Sequence, residues 1–312
     1  MKRKIARGFS VVFGPDDKRD YDTNKSDLRD IVTLGTKVEA DFIEVRFFGD
    51  PEHRSKRLII PEKIFTVREI EDVVAAIKGE DLGINLHLSQ ELIPYLENPR
   101  KLGYDFLEHF DHVIGHRADM DIFIPDLADR VLSQAAQGNE KFLAPLGEKS
   151  VIDKKLRDLF LIENGFDAKD VLHKTSYLAA NRYHIGNVVD IVHFIRGLDP
   201  EFNNDSPSKY ARYSGKKLEL TYATKEIFKN TSGVHISGIT SDYVDHVPLR
   251  RPGLSTAIPD DHKKILYEGL KIANRLRFMT VELKKQYQTP KNIKMTAEKF
   301  EALLGRIRHG NQ

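Results

Sequence analysis

The chain has 312 residues, 40% of them hydrophobic and 31% charged, a globular composition with apolar material for one large core or two ordinary ones. No window approaches 18 uncharged apolar residues, which excludes a transmembrane helix, and zero cysteines exclude disulfides, thiolate metal sites and a cysteine nucleophile. With 49 Lys+Arg against 47 Asp+Glu the formal charge is +2, so binding of nucleic acid by bulk charge is excluded and only local basic patches remain.

In chain order, short apolar runs predict strands at 5–13, 42–48, 83–88, 112–116, 159–163, 188–193, 233–237 and 278–283. The first follows a basic start, but Arg7 interrupts the apolar run, so the segment reads as a strand and not as a signal peptide. Apolar residues at i, i+3/i+4 spacing predict helices at 26–40, with Ser26 as N-cap, and at 66–78. Further helices are expected at 125–136, 168–178, 219–229, 259–274 and 297–307. Strands alternating with helices argue a parallel sheet, and eight such units in this length argue a closed α/β barrel, a (β/α)8 TIM barrel of a single domain. Residues 1–287 are expected to form the barrel, and 288–312 a C-terminal helix and basic tail packed on it or extending it. The longest loop-like stretch, 198–217, follows the sixth strand, where a barrel carries active-site excursions. The composition is compatible with a cytoplasmic protein; no protein partner is legible, and a monomer is expected.

In such a barrel, function sits at the C-terminal ends of the strands. There the sequence presents His87 on strand three, His116 on strand four, Glu163 on strand five, and Asp190 and His193 on strand six. Strand seven brings His235, with His246 a short loop later, and strand eight brings Glu282. Imidazoles and carboxylates are the ligands of zinc and similar divalent ions. Any one histidine at a strand end is ordinarily hydrogen-bonded or on the surface, and a buried carboxylate can be salt-bridged. Six successive strands making the same exception at the same end point to one metal-lined mouth. His53, His109, His173, His184, His262 and His309 fall in helices or loops and are read as ordinary, while His112 starts strand four at the opposite end.

The segments IENG (162–165), DIVHFIRG (190–197), GVHISG (233–238), HVPLRRPG (246–253) and VEL (281–283) resemble, in order and placement, the xylose-isomerase-like barrel superfamily and its endonuclease IV branch. The isomerases and epimerases of that superfamily hold one metal with Glu, Asp, His and Glu from strands five to eight, which implies Glu163, Asp190, His235 and Glu282 here. The endonuclease IV branch adds histidines and builds a cluster of up to three zinc ions, and His87, His116, His193 and His246 occupy those places. By this resemblance Glu163 bridges two ions, one completed by His87 and His116 and the other by Asp190, His235 and Glu282. His193 and His246 hold the third ion, and Glu163, His116 and Glu282 lie nearest the chemistry. The carboxylate of the third site falls at Val244 in this sequence, with Asp245 adjacent and Asp242 close by as substitutes. Ser237 and Gly238 stand where the branch has Asn-Asp, and Gln90 and Glu91 where it has a Tyr-Leu wedge.

The implied activity is hydrolysis of a phosphodiester 5′ to an abasic site in damaged double-stranded DNA, by a metal-activated water. Phosphate contacts on a nearly neutral chain have to be concentrated locally. His53, Arg54, Lys56 and Arg57 follow strand two, Arg117 follows His116, and Arg250 and Arg251 follow His246. The strand-six excursion interleaves Lys209, Arg212, Lys216 and Lys217 with Tyr210 and Tyr213. Each run could equally be a solvated loop. The alternative function is a sugar isomerase or epimerase with a single zinc, manganese or magnesium ion, in which two carboxylates shuttle a proton between adjacent carbons. A phosphoesterase acting on a smaller substrate is a third reading.

Overall fold

A computed structural model describes residues 4–13, 21–47, 66–89, 92–98, 100–121, 123–124, 158–164, 175–183, 185–198, 222–239, 246–249 and 260–309. Eight strands follow one another in hydrogen-bonded order and close into a barrel, which is the α/β barrel expected from the alternating pattern. They are β1 (Ala6–Phe13), β2 (Phe42–Phe47), β3 (Gly83–His87), β4 (His112–His116), β5 (Phe160–Glu163), β6 (Gly186–Asp190), β7 (Thr231–Ile236) and β8 (Phe278–Val281). The helices among the described residues include α1 (Tyr21–Lys37), α2 (Val67–Lys78), α3 (Ile93–Leu96), α4 (Thr175–Tyr183), α5 (Ile191–Leu198), α6 (Tyr222–Lys229), α7 (Asp260–Ile272) and α8 (Pro290–His309). None of them is long and apolar enough to cross a membrane.

The chain falls into two compact units. One comprises residues 10–161 and 183–185, the other residues 1–9, 162–182 and 186–312. In the first, β2, β3 and β4 pair in parallel, with Arg46 opposite His87 and Glu44 opposite Asn85. Helix α2 packs Ile70, Val73, Val74 and Ile77 inward. Its start is fixed by a capping box: the Thr66 hydroxyl accepts from the Glu69 N–H at 3.2 Å, and the Glu69 carboxylate accepts from the Thr66 N–H.

In the second unit, β6, β7 and β8 run parallel, and β8 pairs with β1. Gly233 of β7 lies opposite Phe278 of β8, and a Cβ at Gly233 would meet the Phe278 ring at 2.1 Å. Glycine is therefore what lets these strands approach with the aromatic ring between them. Phe194 of α5 meets Phe228 of α6 edge-on at 5.1 Å. Helix α8 buries Ile293, Ala297, Phe300, Leu303, Leu304 and Ile307, the spacing of a helix with one apolar stripe.

The strands stand where the apolar runs predict them, and the differences at their ends have local causes. Strand six was expected to run to His193, but β6 ends at Asp190 and α5 starts at the next residue. The Asp190 carboxylate accepts the His193 N–H at 2.7 Å and caps the new helix. His193 therefore projects from a helix, and the unbroken apolar run VVDIVHF conceals the change of structure. Ser26 was expected to cap α1, yet it lies inside that helix. Residues 22–25 contain no apolar side chain, so the amphipathic period becomes visible a turn late. Helix α8 also begins earlier than the expected 297. Thr289 accepts the Asn292 N–H at 3.3 Å and Pro290 takes the first helical position, a start signal that the apolar period alone does not carry. The expected helix at 125–136 lies outside the described residues, as does the excursion at 198–217 apart from Leu198, which ends α5.

Candidate metal centre

The second unit places four of the expected ligands together. Glu163 ends β5, Asp190 ends β6, His235 is the fifth residue of β7, and Glu282 follows β8 directly. Asp190 lies opposite His235 across the ladder, and the Glu282 N–H continues the ladder to the Ile236 carbonyl at 3.0 Å. One ligand atom from each of the four residues lies within 4.8 Å of the others. Glu163, Asp190 and His235 are buried, and Glu282 is half-buried. The His235 Nδ1 sits 2.9 Å from the Glu163 Oε1 and 3.3 Å from the Glu282 Oε2.

Asn164, the residue after Glu163, fixes Asp190. Its side-chain oxygen accepts the Asp190 N–H at 2.9 Å and its amide nitrogen donates to the Asp190 carbonyl at 3.3 Å. One Asp190 oxygen is committed to capping α5, while its Oδ2 is buried with no hydrogen-bond partner. Burial raises the Asp190 pKa above its ordinary 3.8, and the charges of Glu282 and Glu163 add to this against those of His193 and His246. A buried carboxylate oxygen without a donor, beside two further carboxylates and an imidazole, is a donor set that zinc, manganese or magnesium accepts and that a cation would relieve.

His193 and His246 flank this cluster with their rings edge-on and centroids 6.0 Å apart. The Nδ1 of His193 faces the Asn164 carbonyl at 3.2 Å; when it donates there, Nε2 keeps the lone pair. Burial opposes a charge on His193, but Asp190, Glu163 and Glu282 outweigh it and hold its pKa above 6.5. His246 has a φ of 52°, in the left-handed region that few non-glycine residues occupy and that carries a cost in backbone energy.

The first unit contains the other expected pair. His87, buried at the end of β3, and His116, half-buried at the end of β4, meet edge-on at 5.3 Å. The His87 Nδ1 faces the Leu88 carbonyl at 3.3 Å. His112, read as the start of strand four at the opposite end, is half-buried with its Nδ1 3.2 Å from the Asn85 Oδ1. His262, read as ordinary, is buried in α7. Arg117 forms an i,i+4 pair with Asp121 at 2.9 Å. Asp245 and the basic residues Arg54, Lys56, Arg57, Lys209, Arg212, Arg250 and Arg251 lie outside the described residues.

Several polar residues of these elements went unnoticed in the sequence. Glu44 and Arg46 share one face of β2 and pair in register with Asn85 and His87; Glu44 and Asn85 are fully buried. Their signal was the alternation of two charged residues within the apolar run FIEVRF. Asn164 was read only as part of the motif IENG, with no role assigned to it.

No protein-family description matches the chain, and no curated protein is similar to it. Solved structures are similar to it over nearly their whole length. An IolI protein with a bound zinc atom has 14% identity and a TM-score of 0.47, covering 97% of this chain and 99% of its own. A D-allulose 3-epimerase from Methylomonas sp. has 12% identity and a TM-score of 0.44, covering 98% of each chain. A xylose isomerase-like TIM barrel protein from Mycobacterium smegmatis in complex with magnesium has 13% identity and a TM-score of 0.42, covering 99% of this chain and 97% of its own. At these identities and TM-scores the likenesses assign no residue a role, and the barrel itself rests on the strand order of this chain.

Proposed function

We propose that the chain is a metal-dependent isomerase or epimerase acting on a hydroxy-carbonyl compound of the sugar class. The observation that carries this reading is the set of Glu163, Asp190, His235 and Glu282, three of them buried, in which two carboxylates flank one imidazole nitrogen. Asp190, His235, Glu163 and Glu282 are the residues that would hold the ion. When bound, a divalent ion supplies Lewis acidity, polarising a carbonyl and acidifying the adjacent C–H. The chain's own part is proton transfer. One of the two glutamates takes the proton from the carbon beside the carbonyl, and the other returns a proton on the opposite side or to the neighbouring atom. Burial of Glu163 keeps bulk water from competing for that proton. His193 and His246 offer hydrogen bonds to substrate hydroxyls.

A second reading, cleavage of abasic-site DNA, is favoured by one observation. The two further imidazole pairs, His87 with His116 and His193 with His246, supply more nitrogen donors than one ion needs. In that reading the basic residues following the strand ends hold damaged double-stranded DNA.

One experiment separates the two readings. Protein loaded with zinc or manganese is incubated in D2O with a panel of ketoses, aldoses and their phosphates, and carbon-bound hydrogen exchange is followed by NMR. In parallel, an end-labelled duplex with one abasic-site analogue is tested for nicking. Exchange, lowered in Glu163→Gln by about a hundredfold to ten-thousandfold, supports the isomerase. A nick 5′ to the lesion, with about three ions per chain, supports the nuclease. Neither result from protein shown to hold its metal rejects both.

A further inference from the structure

One hydroxyl of helix α8 bonds the segment that carries His246. Thr296 lies within the apolar stripe of α8 and is fully buried. A buried hydroxyl on such a stripe needs a partner, and Thr296 finds one on another element: its Oγ1 accepts the Leu249 N–H at 3.1 Å. Leu249 closes the segment 246–249, which starts with the left-handed His246.

That segment is held at every residue but one. The His246 carbonyl accepts the Lys284 N–H at 3.0 Å, two residues beyond Glu282. Val247 exchanges two hydrogen bonds with Gly238, at 2.6 and 3.3 Å. A side chain at Gly238 would press on the Pro248 and Val247 carbonyls at 3.0 and 3.1 Å. The last fixed point is Thr296. A strained φ persists only where its neighbours over-determine it, and here it aims the His246 ring edge-on at His193, with the His246 Nδ1 buried and without a hydrogen-bond partner.

We infer that Thr296 is a positioning residue: its hydroxyl anchors the 246–249 segment and thereby holds the His246 imidazole in place beside His193. Without the acceptor, the Leu249 N–H is buried and unsatisfied, the segment shifts to reach water, and His246 relaxes toward an ordinary φ. The inference rests on the reading of His246 as part of the site, so its test includes a readout that requires no turnover.

The test compares the full chain with Thr296→Val, which keeps the shape and loses the acceptor, and Thr296→Ser, which keeps the acceptor. The imidazole 15N and 1H resonances of His193 and His246 are recorded without metal and with zinc alone. Thr296→Val is expected to shift both histidines, to raise KM for any substrate found by the D2O screen about tenfold with kcat nearly unchanged, and to leave the zinc affinity of the four-residue set within about twofold. Thr296→Ser is expected to restore the histidine resonances and KM. Unshifted histidine resonances in folded Thr296→Val overturn the inference, as do shifts of equal size in Thr296→Ser. If Thr296→Val does not fold, amide hydrogen exchange at Leu249 decides. Faster exchange in Thr296→Ala than in Thr296→Ser supports the anchor, and equal exchange removes it. Shifted resonances with no turnover on any sugar would reject the isomerase reading while leaving the anchor standing.

Discussion

Asp190→Asn exchanges one buried carboxylate oxygen for an amide nitrogen at constant shape, and Asp190→Ala removes both atoms. The structure gives those atoms separate tasks. Oδ1 caps α5 by accepting the His193 N–H at 2.7 Å, and Oδ2 is buried without a partner among the metal-type residues. Asparagine caps as well as aspartate does, whereas alanine costs about 1 kcal/mol (range ~0.5–2). Metal-free Asp190→Ala is therefore expected to unfold at lower urea than metal-free Asp190→Asn, by an amount of that order. The ionised carboxylate has the opposite sign. Burial, with Glu282 and Glu163, raises its pKa above 3.8, so the folded state keeps the proton longer than the unfolded one. The stabilisation this proton brings is complete below 3.8 and is lost as pH rises through the folded pKa. At pH 8, metal-free Asp190→Asn is accordingly at least as stable as the parent, and its stability falls less with rising pH. Zinc at a hundredfold excess over its dissociation constant stabilises the parent by about 2.7 kcal/mol, and both variants lose most of that gain. Urea unfolding at pH 5 and 8, with chelator and with zinc, reads all three effects. Undiminished zinc stabilisation of Asp190→Asn would falsify the ligand assignment, and equal metal-free stability of the two variants would remove the cap.

Other perturbations give independent checks. The raised pKa values of Asp190 and His193 mean that protons leave when an ion binds, so metal affinity should climb with pH across neutrality, with proton release in calorimetry; a flat profile would contradict it. Gly233→Ala forces a methyl group into the Phe278 ring and should cost about 1–3 kcal/mol or more. Adding Phe278→Leu should return part of that loss in urea unfolding, and strict additivity of the two would mean that the ring is not the obstacle. Thr66→Ala breaks the capping box of α2 and should cost about 1 kcal/mol with zinc binding unchanged, which makes it a control for the site variants.

The barrel was legible because each strand is a short apolar run, and the candidate ligands were legible because polar residues interrupt or end those runs. Glu163, Asp190, His235 and Glu282 were found in this way, and the structure brings them together. What stayed hidden depends on atoms meeting across elements. Asp190 ends its strand by capping the next helix, an event invisible to any hydrophobic period, so His193 was assigned to the wrong kind of element. Asn164 serves through both faces of its amide, and Thr296 through one hydroxyl far along the chain; neither contact follows from spacing. Glu44 and Arg46 were readable as an alternating pair, but a run long enough to be a strand drew attention away from its polar members.

Arg7 of β1 grips Glu301 of α8 with two hydrogen bonds, at 2.7 and 2.5 Å, across 294 positions of sequence, and β1 also pairs with β8 from Ala6 to Phe9. During synthesis the first strand leaves the ribosome long before the partners that complete its edge exist. Until β8 and α8 emerge, that edge has open hydrogen-bonding groups. Ring closure therefore waits until β8 and α8 have been made.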